Sequence, residues 1–100
     1  MIGLIVKFKL QEGKGKEFER IFARLAENVR EHEPGNLLYK LGKSRTEPDT
    51  YVAMELYKDQ AAIDAHRATP YMAAELAGFR ACLAPEPPKA EFLDMIADGM

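Results

Sequence analysis

Glu55 and Tyr57 stand two apart in the run Tyr51-Val52-Ala53-Met54-Glu55-Leu56-Tyr57, and His66 follows nine residues after Tyr57. In an extended strand, residues two apart point to the same face about 6–7 Å from each other, so this carboxylate and phenol would share a surface. An imidazole titrates near neutrality and suits removal of a proton from an acidic hydroxyl. A carboxylate beneath apolar groups is either paired or has its pKa raised, which is one way to make a base. His66 and Glu55 are therefore the candidate catalytic pair, the imidazole taking the proton and the carboxylate orienting or assisting it. Each also has a plainer reading. Glu55 could bond a helix N-terminus or an arginine such as Arg67 or Arg80, and His66 could cap its own helix or hold a bend by bonding Glu55. His32, between Glu31 and Glu33 at a helix end, reads as a solvated charge that the helix dipole favours.

Tyr39, Tyr57, Tyr71, Phe22 and Phe79 are the candidate substrate-binding residues, because a flat apolar pocket for an aromatic ring needs such walls. At helical or strand spacing the same residues also serve as ordinary core, and Phe22 and Phe79 are core unless a cavity opens beside them. Cys82, the only cysteine, lies at the edge of an apolar helix face and reads as a small inert hydrophobe.

Other chemistries lack their residues. One cysteine permits neither an internal disulfide nor a cysteine-based zinc site, and two histidines with scattered carboxylates are a poor basis for any metal centre. Gly13-Lys14-Gly15 opens a helix without the third glycine or downstream acid of a phosphate loop, and there is no serine-centred elbow. The charge balance, 14 basic against 16 acidic residues, leaves no basic stripe for nucleic acid. Met1 to Val6 turns charged at Lys7 and lacks the form of a signal peptide, and no stretch approaches the roughly 18 apolar residues of a membrane span. A cytoplasmic protein is expected.

The elements that must position these residues follow from periodicity. Ile2, Leu4, Val6, Phe8 and Leu10 alternate, as in a strand with one buried face. Phe18, Ile21, Phe22, Leu25 and Val29 recur at helical spacing over about four turns. Glu33-Pro34-Gly35 ends that helix, since proline restricts the residue before it and glycine permits the exit turn. Leu37, Tyr39 and Leu41 alternate in a second strand, and Glu47-Pro48-Asp49-Thr50 is turn chemistry leading into a third, Tyr51 to Tyr57, so residues 37–57 form a hairpin. Asp59 can cap a short helix, and Thr69-Pro70 restarts another with Met72, Leu76, Phe79 and Leu83 on its apolar side. Pro85-Glu86-Pro87-Pro88 is a stiff connector, Ala90 to Ile96 a last strand, and residues 97–100 a loose tail.

The order strand, helix, strand, strand, broken helix, strand is the split βαβ pattern, so one α+β, ferredoxin-like domain is expected over residues 1–100. Its four-stranded antiparallel sheet would carry helices on one face. Val52, Met54 and Leu56 then supply apolar side chains to the other face, which a sheet wet on that side would not carry. A homodimer pairing two such faces follows.

Three stretches carry a family resemblance: Glu33-Pro34-Gly35, Tyr51 to Tyr57, and Ala65-His66-Arg67-Ala68-Thr69-Pro70-Tyr71. Together they resemble the antibiotic biosynthesis monooxygenase family of dimeric α+β barrels, most closely its quinol monooxygenase branch. The likeness extends over the whole chain in element order and is best from 51 to 71. The resemblance implies a cofactor-free oxidation of small aromatic quinols or phenols by O2, with no metal, in which Tyr57 and Tyr71 hold the ring or an oxygen. Other branches degrade haem or isomerise a phosphorylated signalling sugar. The family usually has tryptophan where this chain has Tyr57, and often asparagine in the first strand near Val6; these departures argue against haem degradation. The alternatives are a non-catalytic dimeric module binding a small ligand, and a phosphosugar isomerase, which would want Arg67 and Arg80 in its pocket.

Overall fold

The computed structural model describes residues 1–97 and residue 99. Its elements are β1 (Ile2–Lys9), α1 (Gly15–His32), β2 (Asn36–Lys43), β3 (Thr50–Tyr57), α2 (Gln60–Arg67), α3 (Pro70–Cys82) and β4 (Lys89–Asp94). The strands form one antiparallel sheet in the order β2-β3-β1-β4, the split βαβ arrangement expected from the element order. No helix among the described residues is long and apolar enough to cross a membrane.

Local chemistry explains most boundaries. The five apolar positions of α1, Phe18, Ile21, Phe22, Leu25 and Val29, are all buried. The helix has 18 residues, five turns rather than about four, because it already begins at Gly15. The Asp59 carboxylate accepts the Ala62 N–H at 2.9 Å to start α2, and the Thr69 hydroxyl accepts the Met72 N–H at 3.4 Å, with Pro70 opening α3. At the other end of α3, Gln11 Nε2 donates to the carbonyls of Ala81 and Leu83 at 3.2 and 3.0 Å. Those carbonyls would otherwise lack partners at the helix terminus. In the β2–β3 turn Asp49 adopts φ 53°, the left-handed conformation that aspartate tolerates better than most residues.

Strand alternation puts Leu4, Val6 and Phe8 of β1 and Tyr51, Ala53, Glu55 and Tyr57 of β3 on the face beneath the helices. In β2, Tyr39 and Leu41 join them opposite Glu55 and Ala53. Leu37 does not, contrary to the simple alternation. The register shifts between Asn36 and Leu38, and the additional residue leaves Leu37 49 % exposed. The last strand is shorter than its pattern suggested, ending at Asp94 instead of Ile96. Of the expected tail, residues 98 and 100 lie outside the described residues.

The core gathers Leu10, Phe18, Ile21, Leu25, Tyr51 and Cys82, the cysteine being buried among them. Phe18 meets Phe79 edge-on at 4.9 Å between centroids, joining α1 to α3. On the opposite face of the sheet, Ile5 pairs with Met54, and they are 39 % and 41 % exposed.

A close approach fixes the turn after α1. A Cβ on Gly35 would lie 2.8 Å from the Ala62 Cβ, so only glycine lets this turn rest against α2. That contact brings the end of α1, with Glu33, against the helix carrying His66.

Candidate functional site

Between the sheet and the helices lies a cavity of about 330 Å³. Its floor is Leu4, Val6 and Phe8 of β1 with Ala53, Glu55 and Tyr57 of β3. Tyr39 and Phe22 wall one side, their rings stacked at 4.7 Å and 9°. Ile63, His66 and Arg67 come from α2, Met72, Leu76, Phe79 and Arg80 from α3, and Leu83 and Pro88 from the connector. The wall is apolar and aromatic except for His66, Glu55, two arginines and the phenol groups. Such a surface suits an aromatic ligand that a few polar groups orient.

His66 is buried, 5 % exposed, and its Nδ1 lies 2.9 and 3.0 Å from the two carboxylate oxygens of Glu33. An ionised carboxylate only accepts hydrogen bonds, so Nδ1 carries the proton in this pair. In the neutral imidazole Nε2 is then left as the acceptor. Glu33 does not line the cavity, whereas the His66 ring does, beside Tyr39 at 5.3 Å and Tyr57 at 5.7 Å between centroids. The basic edge of the ring is thus the one available to a ligand.

Glu33 also accepts a hydrogen bond from the Tyr71 hydroxyl. Burial, and then this bond to a carboxylate, raise the Tyr71 phenol to about 12. Tyr71 therefore lies behind His66, on the far side of Glu33, and is not part of the cavity wall. The expectation that it holds substrate does not fit its position. Its hydroxyl is committed to the carboxylate that holds the imidazole.

Glu55 accepts a hydrogen bond from the Tyr57 hydroxyl, so the two do share a face as their spacing implies. Burial raises the Glu55 carboxyl above its ordinary range, although the Tyr57 bond and the charges of His66 and Arg67 act the other way. Burial also pushes the phenols of Tyr57 and Tyr39 well upward, with the Glu55 charge adding to it, so both are protonated at any physiological pH. No direct hydrogen bond joins Glu55 to His66 among the described residues; the partner of the imidazole is Glu33.

Of the seven residues singled out from the sequence, His66, Glu55, Tyr57, Tyr39, Phe22 and Phe79 meet at the cavity, and Tyr71 stands outside it. Glu33 was missed as a side chain that acts on His66. It lies 33 residues away in the chain, in a Glu-Pro-Gly segment that reads as a helix stop, and nothing in its spacing points to His66. His32 is solvated, with 58 % of its side chain exposed beside Glu31. Among the described residues no three histidine, cysteine, aspartate or glutamate side chains converge as a metal site would require.

A family model for antibiotic biosynthesis monooxygenases matches residues 1–76. Among solved structures, a Caulobacter crescentus CB15 protein assigned to the same class is 36% identical and superposes with a TM-score of 0.91 over 96% of this chain and 90% of that one. A Nitrosomonas europaea protein so assigned is 23% identical, with a TM-score of 0.87 over 97% of this chain and 100% of that one. A mutant of SnoaB, a cofactor-independent oxygenase from Streptomyces nogalater, is 21% identical, with a TM-score of 0.82 over 98% and 95% of the two chains. The last two likenesses speak for the fold alone. No curated protein matches the chain.

Proposed function

Because the chain belongs to the antibiotic biosynthesis monooxygenase family, we propose that it is a cofactor-independent monooxygenase that oxidises small aromatic quinols or phenols with O2, using His66 as the base. One observation carries this reading. A buried imidazole has Nδ1 held by a buried carboxylate and lines a cavity walled by aromatic rings.

In this mechanism neutral His66 accepts a hydroxyl proton at Nε2, and Glu33 stabilises the imidazolium that forms. The resulting anion is electron-rich enough to pass one electron to O2. The substrate radical and superoxide then combine, forming a C–O bond and, after protonation, a hydroperoxide. The hydroperoxide breaks its O–O bond as the carbon bearing it loses its hydrogen as a proton, leaving a carbonyl and releasing water. Overall a quinol and O2 give a hydroxyquinone and water. The cavity contributes position and exclusion of bulk water. Glu55, whose carboxyl is driven toward its protonated form by burial, is the proton donor for the departing oxygen. Tyr57 holds Glu55, and Tyr39, Phe22 and Phe79 enclose the ring.

The same reading includes a homodimer joined through the open sheet face. Exposed Ile5 and Met54 lie side by side at its centre, and covering them removes apolar surface from water. A phosphosugar isomerase would find both Arg67 and Arg80 on the cavity wall, but the other lining offers few partners for sugar hydroxyls.

The test is oxygen uptake with hydroquinones and naphthoquinols by protein freed of metal and flavin. Uptake above autoxidation, reduced about 10²- to 10⁴-fold in His66→Ala with the far-UV spectrum unchanged, is the expected outcome. Turnover unaffected by His66→Ala would remove the assignment of the base. No uptake with any substrate would leave a ligand-binding module as the better reading.

A further inference from the structure

We propose that the substrate carries an anionic substituent, and that Arg80 binds it at the end of the cavity remote from His66; this rests on the cavity being the substrate site.

The two cavity arginines have different surroundings. The Arg67 guanidinium lies over the Phe92 ring at 5.5 Å, and Phe92 pairs across the sheet with Leu4, which pairs in turn with Glu55. Arg67 therefore belongs to the Glu55–His66 end, where the Phe92 ring lies against it and its charge acts on Glu55. Like Arg80, it has no carboxylate within 4.0 Å among the described residues. Arg80 stands at the other end. Helix α3 starts beside His66, where the Thr69 hydroxyl donates to the His66 carbonyl at 2.9 Å, and runs 13 residues toward the Leu10–Leu83 bridge. At 1.5 Å per residue, Arg80 is displaced about 15 Å along the helix from that start. Phe79 adjoins it in α3, the Leu83 N–H donates to its carbonyl at 3.2 Å, and Phe8 lies 5.9 Å from the Phe79 ring, so the lining at this end is apolar. Among the described residues no carboxylate lies within 4.0 Å of its guanidinium. Arg80 is exposed, so it stands at the solvent-facing rim of the cavity it lines, and its place in the last turn of α3 also suits the helix dipole.

Arg80 at the rim of an apolar slot and a base within it define a substrate by its two ends. The planar fork matches a carboxylate or a phosphate ester, while the reacting hydroxyl lies at the His66 end. The separation puts charge and reacting group on different rings. The volume agrees, since 330 Å³ is about twice the ~150 Å³ of an apolar cavity that holds one benzene. The class is therefore a hydroxylated two-ring aromatic acid or phosphate ester.

The test is calorimetric titration of the full chain with 2-naphthoate, 2-naphthamide and 2-naphthyl phosphate, none of which the reaction consumes. We expect an anionic probe to bind about tenfold tighter than the neutral amide, from the strength of charge-assisted bonds. Arg80→Met should abolish that preference and leave amide affinity within about twofold, whereas Arg67→Met should keep it. Whether naphthoate or the phosphate ester gains more from Arg80 identifies the anion. Equal binding of acid and amide, a preference surviving Arg80→Met, or no binding of any probe would overturn the proposal. No preference in the unsubstituted protein, with oxygen uptake on neutral hydroquinones intact, removes the anion site alone; a preference without oxygen uptake removes the oxygenase reading alone.

Discussion

Replacing Glu33 by glutamine tests the centre of the site. The two side chains are of similar size, so no cavity opens, and 7 % exposure of the Glu33 side chain means that water cannot repair a lost bond. The carboxylate accepts from His66 Nδ1 at 2.9 and 3.0 Å and from the Tyr71 hydroxyl. An amide accepts only through its oxygen, so its NH2 end replaces a charged acceptor, and the group it meets, the Tyr71 hydroxyl or the imidazole, must accept instead of donating. A charge-assisted bond lost in this way is worth about 1.5–3 kcal/mol. We therefore expect Glu33→Gln to lose about 2–3 kcal/mol of unfolding free energy, which for a domain of this size lowers Tm by roughly 10–15 °C. The imidazole also loses the group that fixes its tautomer. Carboxylates that orient metal-bound histidines are worth about 10–100-fold in activity, and by the same orienting role a fall in kcat of at least this size is expected. Tyr71→Phe removes only one bond to the same carboxylate and should cost about 1.5 kcal/mol, the low end for a bond to a charged group, with a much smaller kinetic effect. Urea denaturation and oxygen uptake on the same preparations measure both quantities. Glu33→Gln within about 0.5 kcal/mol of the parent and equally active would refute the reasoning.

Three further outcomes follow from other parts of the molecule. Because burial holds the Glu55 carboxyl above its ordinary pKa, the folded state binds its proton more tightly than the unfolded chain. Ionisation therefore opposes folding as pH rises above the ordinary carboxylate range, and Glu55→Gln should melt higher than the parent at pH 7, the difference shrinking on acidification; an advantage that grows at low pH would reverse the sign. Gly35→Ala sets a Cβ 2.8 Å from the Ala62 Cβ and should cost about 1–3 kcal/mol, with coupling to Ala62→Gly in a double-mutant cycle by urea denaturation; strict additivity would deny the contact. Met54→Glu puts a charge beside Ile5 on the open sheet face, and light scattering should report a dimer for the parent and a monomer for the variant; two dimers would move the interface elsewhere.

Much of the scaffold is legible without coordinates because it arises from short-range regularities. The alternation in β1 and the 3.6-residue period of α1 state which side is buried, and all five apolar positions of α1 are buried. Asp59 and Thr69 announce their helices because a cap acts within three residues. Leu37 escaped the same logic, since a bulge shifts the register by one residue and leaves no mark in the alternation.

The candidate site divides along the same line. Glu55 and Tyr57 could be placed on one face from their spacing, and their hydrogen bond follows from strand geometry. That His66 lies under the same helices as Tyr39, Phe22 and Phe79 depended on the packing of α1, α2 and the sheet. The partner of His66 was decided only there. Glu33 reaches it across 33 residues because Gly35 lets the turn press against α2, and Tyr71 is drawn to the back of that pair instead of the cavity. Periodicity and caps act within a few residues, so the sequence by itself determines the elements and the faces they bury. Which charged groups meet in the dry interior depends on contacts between distant segments, and only the tertiary structure decides that.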